Sequence, residues 1–148
     1  MVSWRNAHRL RFLGINTPRP LAIIEERWGQ LRQRAFFLMA YHPGETIDQA
    51  LRAAKDDKPT IKHHLDQLSD LLEQLAAAGI SHGDFKATNF LLSSDRLYLV
   101  DLDGMRVHRS AASFKRTFRR DVSRLLSNWD HLPHVRQQLF ERLRDLMK

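Results

Sequence analysis

The sequence predicts an α+β fold in which a small unit of one helix and two strands precedes a larger, mostly helical remainder. Three observations predict it. Two apolar runs near the start bracket a charged segment containing Gly29, apolar residues recur at helical spacing from Thr60 onward, and a polar loop between the helical stretches runs into a second short hairpin.

Taken in order, residues 4–13 read as a short helix stopped by Gly14, and Asn16-Thr17-Pro18-Arg19-Pro20 as a stiff, extended connection. Leu21-Ala22-Ile23-Ile24 and Ala35-Phe36-Phe37-Leu38-Met39 are strand-like and predict a hairpin. Tyr41-His42-Pro43-Gly44 interrupts the order with turn residues and suits a hinge between two lobes. Ile61, Leu65, Leu68, Leu72 and Leu75 then define one face of a long buried helix, with Pro59 near its start and Gly79 near its stop. His63 and His64 precede Asp66 on that helix, but adjacent positions point in different directions, so a solvated face is expected there rather than a metal site. Phe90-Leu91-Leu92 and Leu97-Tyr98-Leu99-Val100 flank the turn-forming Ser93-Ser94-Asp95-Arg96 and predict a tight hairpin. Phe114, Phe118, Val122, Leu125 and Trp129 form one further amphipathic stripe, and Val135, Leu139, Leu143 and Leu146 another after Pro133.

Composition narrows the class. At 148 residues, 43% hydrophobic and 28% charged, the chain is expected to be one soluble globular domain, with no apolar stretch long enough to cross a bilayer and no basic-then-apolar targeting segment at its start. The complete lack of Cys excludes disulfides and thiolate zinc sites and suits the cytosol. A net charge of +7 predicts attraction to polyanions, and the bases Arg106, Arg109, Lys115, Arg116, Arg119, Arg120 and Arg124 concentrate in one stretch, with Asp121 among them. A solvated helix face and a substrate or membrane contact both fit that stretch. Aromatic residues do not alternate with these charges as a platform for stacking bases requires, so nucleic acid is not the expected partner.

The chemistry concentrates in Ser81-His82-Gly83-Asp84-Phe85-Lys86-Ala87-Thr88-Asn89 and in Asp101-Leu102-Asp103 after the hairpin. Phosphoryl transfer needs a carboxylate to receive the acceptor hydroxyl's proton, an amide and a second carboxylate to hold magnesium, and a cation near the migrating group. Asp84, Asn89, Asp101 and Lys86 match those needs. Asn89 follows Asp84 at the protein-kinase spacing, and a tight hairpin would return Asp101 to the side of Asn89. Singly, such residues are ordinary turn formers and N-caps; together in one short window they point to a phosphotransferase loop. His82 is expected to prop the loop rather than to react. Asp103 is a reserve metal ligand, because Asp101 directly ends the apolar run.

Those two motifs, with Trp4-Arg5-Asn6-Ala7, the stretch Leu13-Gly14-Ile15-Asn16-Thr17-Pro18-Arg19-Pro20-Leu21-Ala22, and Met39-Ala40-Tyr41-His42-Pro43-Gly44, resemble the lipopolysaccharide core kinases of the Kdo and heptose type, within the protein-kinase-like superfamily. The resemblance implies a protein-kinase-like fold dominated by its helical C-terminal lobe: residues 1–40 as the remnant of an N-terminal lobe, 41–45 as the hinge and 46–148 as the helical lobe. It implies transfer from ATP, with Mg2+, to a hydroxyl of a lipopolysaccharide inner-core sugar, in the cytoplasm and peripheral to the inner membrane. Asp84 would be the base, Lys86 the electrostatic helper, Asn89 and Asp101 the metal ligands, and backbone near Ala40 and Tyr41 the adenine contact.

The sequence departs from the kinase pattern at its beginning. It has no glycine-rich phosphate loop, no strand bearing a phosphate-binding Lys, and no acid in the first helix to pair with one. The expectation is therefore a truncated N-terminal lobe, from a fragment, a late start codon or a degenerate paralogue. Alternatives are a protein Ser/Thr or small-molecule kinase, and a pseudokinase scaffold that keeps the helical lobe as a binding surface.

Overall fold

The structure is a computed structural model that describes residues 2–147. The first helix, α1 (Val2–Phe12), buries only Asn6, Ala7 and Leu10, and its chain is turned at Gly14 into the extended connection that the Pro-rich segment requires. Strands β1 (Pro20–Trp28) and β2 (Leu31–Met39) follow as an antiparallel pair with its tip at Gly29 and Gln30. Both outrun the apolar cores that mark them in sequence, because a hairpin ladder continues through charged residues wherever one side faces water.

The remainder is helical with short ladders set into it. Strand β3 (Glu45–Thr46) leads straight into α2 (Ile47–Ala54), whose start carries a reciprocal cap between Thr46 and Gln49. Helix α3 (Lys58–Ala77) is capped by the Asp57 side chain and has Pro59 in its first turn; it buries Ile61, Leu65, Leu68, Leu72 and Leu75 as the stripe predicts. Strand β4 (Ile80–Ser81) precedes the polar loop. Strands β5 (Phe90–Ser93) and β6 (Arg96–Leu99) then form the second hairpin, with Ser94 and Asp95 both at positive φ, the geometry of a two-residue turn that follows strand twist. Strand β7 (Arg106–Val107) pairs with β4, and β3 pairs with β5. These two-residue ladders and α2 leave too little periodicity to be read from sequence. Helices α4 (Ala111–Ser127) and α5 (Pro133–Leu143) close the core; Trp129 and Leu146 lie beyond the helix ends, yet Trp129 is fully buried and Leu146 packs against the core.

One core joins α1, α2, α3, α4, α5 and the β5–β6 hairpin, with Phe85, Phe90, Phe118 and Trp129 among its largest fully buried side chains. Each such side chain contributes roughly 1.5–3 kcal/mol over an exposed one. The expectation for the two histidines divides: His63 is exposed and pairs with Asp95 of the β5–β6 turn at 2.9 Å, whereas His64 is buried in the α3 interface, a correction to the solvated face expected for both. Among the described residues no helix is long and apolar enough to cross a membrane.

Candidate functional site

Helix α3 ends at Ala77, and the chain turns through Gly79 to deliver β4 and the following loop onto the C-terminal half of α4, whose inner face carries the groups that hold it. Asp121, buried in the apolar stripe between Phe118 and Val122, accepts the backbone N–H of His82 at 3.1 Å and of Gly83 at 2.8 Å. Two turns on, Asn128 accepts the N–H of Ala87 at 3.3 Å. Between them Arg124 reaches the Asp84 carboxylate at 2.5 Å. Spacings of three and seven residues put all three on one side of the helix. Sequence reasoning missed this set, and its signal was a polar residue standing inside an apolar stripe.

The side chain of His82 is fully buried, stacked on Phe85 with ring centroids 5.4 Å apart. Its Nε2 meets the Val100 carbonyl at 3.1 Å, which fixes the proton on that nitrogen. Burial pushes the imidazole below its ordinary pKa, outweighing the Val100 carbonyl and the charges of Asp101 and Asp121, so it is a neutral strut. Gly83 and Gly104 touch back to back: a Cβ on Gly83 would sit 2.8 Å from the Gly104 carbonyl oxygen, and one on Gly104 2.9 Å from that of His82. Only glycines allow the two motifs to press together this closely.

Asp84 is clamped by two cations, Lys86 Nζ at 2.6 Å on one oxygen and Arg124 Nη1 at 2.5 Å on the other. The Lys86 ammonium, hydrogen-bonded to it, holds the carboxyl below the usual carboxylate range; partial burial opposes this and Arg124 adds to it. Asp84 is therefore ionised at neutral pH. Asn89 lies in a short 3₁₀ turn, Ala87–Asn89, and its Nδ2 donates to the Asp84 carbonyl at 3.0 Å, which leaves the amide oxygen as its free acceptor. The Asn89 carbonyl accepts the Val100 N–H at 3.0 Å, tying the residue before Asp101 to the loop. Asp101 has left-handed backbone angles, φ 58° and ψ 64°, uncommon for a residue with a side chain and found at sites where geometry is imposed. Its carboxylate is exposed, and a 3₁₀ turn, Leu102–Gly104, follows.

Beside that turn a cleft of about 440 Å³ opens between α1, the β1–β2 hairpin and the turn, lined by Ser3, Trp4, Ile23, Ala35, Phe37, Met39, Asp101, Leu102 and Asp103. Its walls are apolar and its floor acidic. Ser3 donates to Asp103, and Asn6 donates from Nδ2 to the carbonyls of Leu102 at 2.9 Å and Met105 at 3.2 Å, so α1 is fastened to the acidic turn. The structure thus brings Asp84, Lys86 and Asn89 into one contact group and puts Asp101 and Asp103 in the wall of the cleft. Ala40 lies apart from that wall: its N–H is taken by the Arg19 carbonyl at 2.8 Å, and it lines a different cleft, while Tyr41 is 87% exposed.

Among the described residues no three His, Cys, Asp or Glu side chains cluster as a metal centre. The donors at hand are one carboxylate, the free Asn89 amide oxygen and a reserve carboxylate, hard oxygen ligands that fit magnesium when phosphate and water complete the shell.

A family model described as the lipopolysaccharide kinase (Kdo/WaaP) family matches residues 1–144. A search of curated proteins finds no match.

Proposed function

Since the chain belongs to the lipopolysaccharide kinase (Kdo/WaaP) family and so to a family of kinase-type phosphotransferases, we propose that it moves the γ-phosphoryl group of ATP onto a hydroxyl of a lipopolysaccharide inner-core sugar, with residues 82–89 as the reacting loop. The observation that carries this reading is the Asp84 carboxylate, ionised and aimed by Lys86 and Arg124 beside the Asn89 amide.

The division of labour follows from chemistry. A carboxylate held below its ordinary pKa is a weak base, so Asp84 orients the sugar hydroxyl and receives its proton late, as the new oxygen–phosphorus bond forms and the bond to the β-phosphate oxygen breaks. Lys86, half exposed on a flexible stem, can turn from Asp84 to the charge on the transferring group. Asn89 and Asp101, with Asp103 in reserve, would hold Mg2+, which neutralises phosphate charge when bound. The 440 Å³ cleft suits the nucleotide, its apolar side taking the base and its acidic floor the metal-bound phosphates. Ala40 and Tyr41 lie outside that cleft but directly follow Met39, which lines it, so adenine would have to extend past Met39 to meet their backbone. In this reading the fold is protein-kinase-like, with residues 1–40 as the N-terminal lobe, 41–45 as hinge and 46–148 as the helical lobe.

The acceptor is an anionic glycolipid. A second cleft of about 270 Å³ beside the loop, lined by Gly83, Gly104, Arg106, Thr117, Arg120 and Asp121, offers two exposed arginines for its acidic groups. Arg109, Lys115 and Arg116 extend the basic surface towards the membrane face on which such a substrate sits.

Thermal unfolding with and without Mg-ATP tests the reading. Nucleotide at a hundred times its Kd should stabilise the chain by about 2.7 kcal/mol, and Asp101→Ala should abolish the magnesium-dependent part. Transfer of radiolabel from ATP to core oligosaccharide should depend on Asp84. Absence of any stabilisation at millimolar nucleotide sinks the proposal, and label on protein but not on core sugar overturns the acceptor. Nucleotide binding without turnover would leave a pseudokinase scaffold.

A further inference from the structure

The hinge segment has a third cleft against it, of about 420 Å³, lined by Arg11, Gly14, Ile15, Asn16, Thr17, Arg19, Ala40, His42, Arg96 and Tyr98. Ala40, one of the residues expected to meet a nucleotide, is among these lining residues; Asp84, Lys86, Asn89 and Asp101 are not. Its chemistry is one-signed. Three arginines reach it from three separate elements, the last turn of α1, the extended connection and the start of β6, and no Asp or Glu is among its walls. Among the described residues none of the three arginines forms an ion pair with a carboxylate. Asp95, next to Arg96 in sequence, is engaged by His63 instead, in a neighbouring cleft that Arg96 also borders.

The three elements are bound together by backbone. The Ile15 N–H donates to the Leu10 carbonyl at 2.9 Å, the Leu99 N–H to Asn16 at 2.9 Å, the Thr17 hydroxyl to the Leu99 carbonyl at 2.8 Å and the Ala40 N–H to Arg19 at 2.8 Å. Arg11 gains from the carbonyl end of α1, but Arg19 and Arg96 have no helix end to offset. The three arginines are exposed, and the carboxylates nearest to Arg96, Asp70 and Asp95, line the neighbouring cleft rather than this one, so an anion bound here would be attracted by all three. The neighbouring groups sharpen the class. The His42 and Tyr98 rings lie 4.4 Å apart and tilted by 36°, a partly buried aromatic wall, and the Asn16 amide and Tyr98 hydroxyl add hydrogen-bonding groups.

From this convergence we infer that the cleft behind the hinge is a second anion site, and that its ligand is a phosphate monoester, whose two charges and three terminal oxygens match several guanidinium forks better than a carboxylate does. A carrier attached to the phosphate, such as a sugar ring, fits against the His42–Tyr98 wall. The phosphate comes either from a free phosphorylated metabolite or from a lipid headgroup. The inference stands apart from the phosphotransfer reading, since no residue of the reacting loop takes part.

Two titrations of the full chain test it. Inorganic phosphate should shift the NMR amide signals of Gly14, Asn16 and Tyr98 and the arginine Nε signals, while chloride at equal ionic strength does not. Phosphatidylcholine vesicles carrying phosphatidic acid should sediment the chain more strongly than vesicles with phosphatidylglycerol at equal charge density. The triple variant Arg11→Gln/Arg19→Gln/Arg96→Gln should weaken whichever binding is seen at least about tenfold, and Arg144→Gln should leave it unchanged. If the triple variant fails to fold, Arg19→Gln and Arg96→Gln singly give the same reading. Response to phosphate alone supports a soluble ligand, and response to phosphatidic acid alone supports a lipid headgroup. Silence at these amides with no preference for phosphatidic acid overturns the site, as does undiminished binding by the variant.

Discussion

Asp84 shows how one residue's surroundings set its chemistry. Pinned between Lys86 and Arg124, it stays charged well into acid, and its contribution lies in aim more than in basicity. Asp84→Asn should lower phosphoryl transfer by about 10²–10⁴-fold with the KM for ATP little altered, measured by initial rates of label transfer. An unchanged rate would remove Asp84 from the mechanism. His82 illustrates the opposite case, a titratable group kept out of chemistry by burial. Its folded pKa is lowered, so on acidification the unfolded chain takes up the proton first: stability from this residue is intact at neutral pH and above, and falls as pH drops below about 6.5. NMR of the His82 ring should show a neutral, Nε2-protonated imidazole persisting below the ordinary histidine value of about 6.5, and titration at or above that value would contradict its role as a strut. That Asp84, Lys86 and Asn89 belong together was legible because they lie within six residues on one loop. Arg124 was not, because a contact between residues 40 apart leaves no local pattern.

At the scale of elements, α4 is the loop's clamp. Removing the Asp121 carboxylate strands the buried N–H of His82, at a cost of about 1–3 kcal/mol, and takes away the partner of the more exposed Gly83 N–H. Asp121→Ala should therefore lower the midpoint of urea unfolding and reduce kcat far more than it raises the KM for ATP, since the reacting loop loosens while the cleft by α1 keeps its walls. A loss confined to KM would argue against the clamp. Gly104→Ala tests the other face of the same loop: a methyl group 2.9 Å from the His82 carbonyl oxygen must part the two motifs, and transfer should fall even where the thermal midpoint holds. The long stripe of α3 announced itself through its own periodicity. Asp121 read instead as a lone acid in a basic run, because its partners are main-chain groups that carry no sequence signature.

Across the whole molecule, order is unevenly distributed. The β1–β2 hairpin stands as a two-stranded sheet with Ile24, Trp28, Leu31 and Phe36 exposed, whereas α3 buries eight residues, six of them in the shared core. A two-stranded ladder with little cover is only marginally stable by itself. Hydrogen exchange should find the amides of β1 and β2 opening by local events well below the global free energy, and those of α3 exchanging only on global unfolding; equal protection would show the hairpin to be part of the main cooperative unit. Binding of Mg-ATP in the cleft that the hairpin borders should raise its protection. By itself, the sequence determined the elements that advertise themselves locally, namely the stripes of α3 and α4, both hairpins and the Asp84–Asn89 window, because helix and strand periodicity and loop spacing act between near neighbours. The tertiary structure alone decided which side chains of α4 hold that window, which glycines let it press against the acidic turn, and which three distant arginines share the cleft behind the hinge, because those contacts join groups whose proximity exists only after the core has closed.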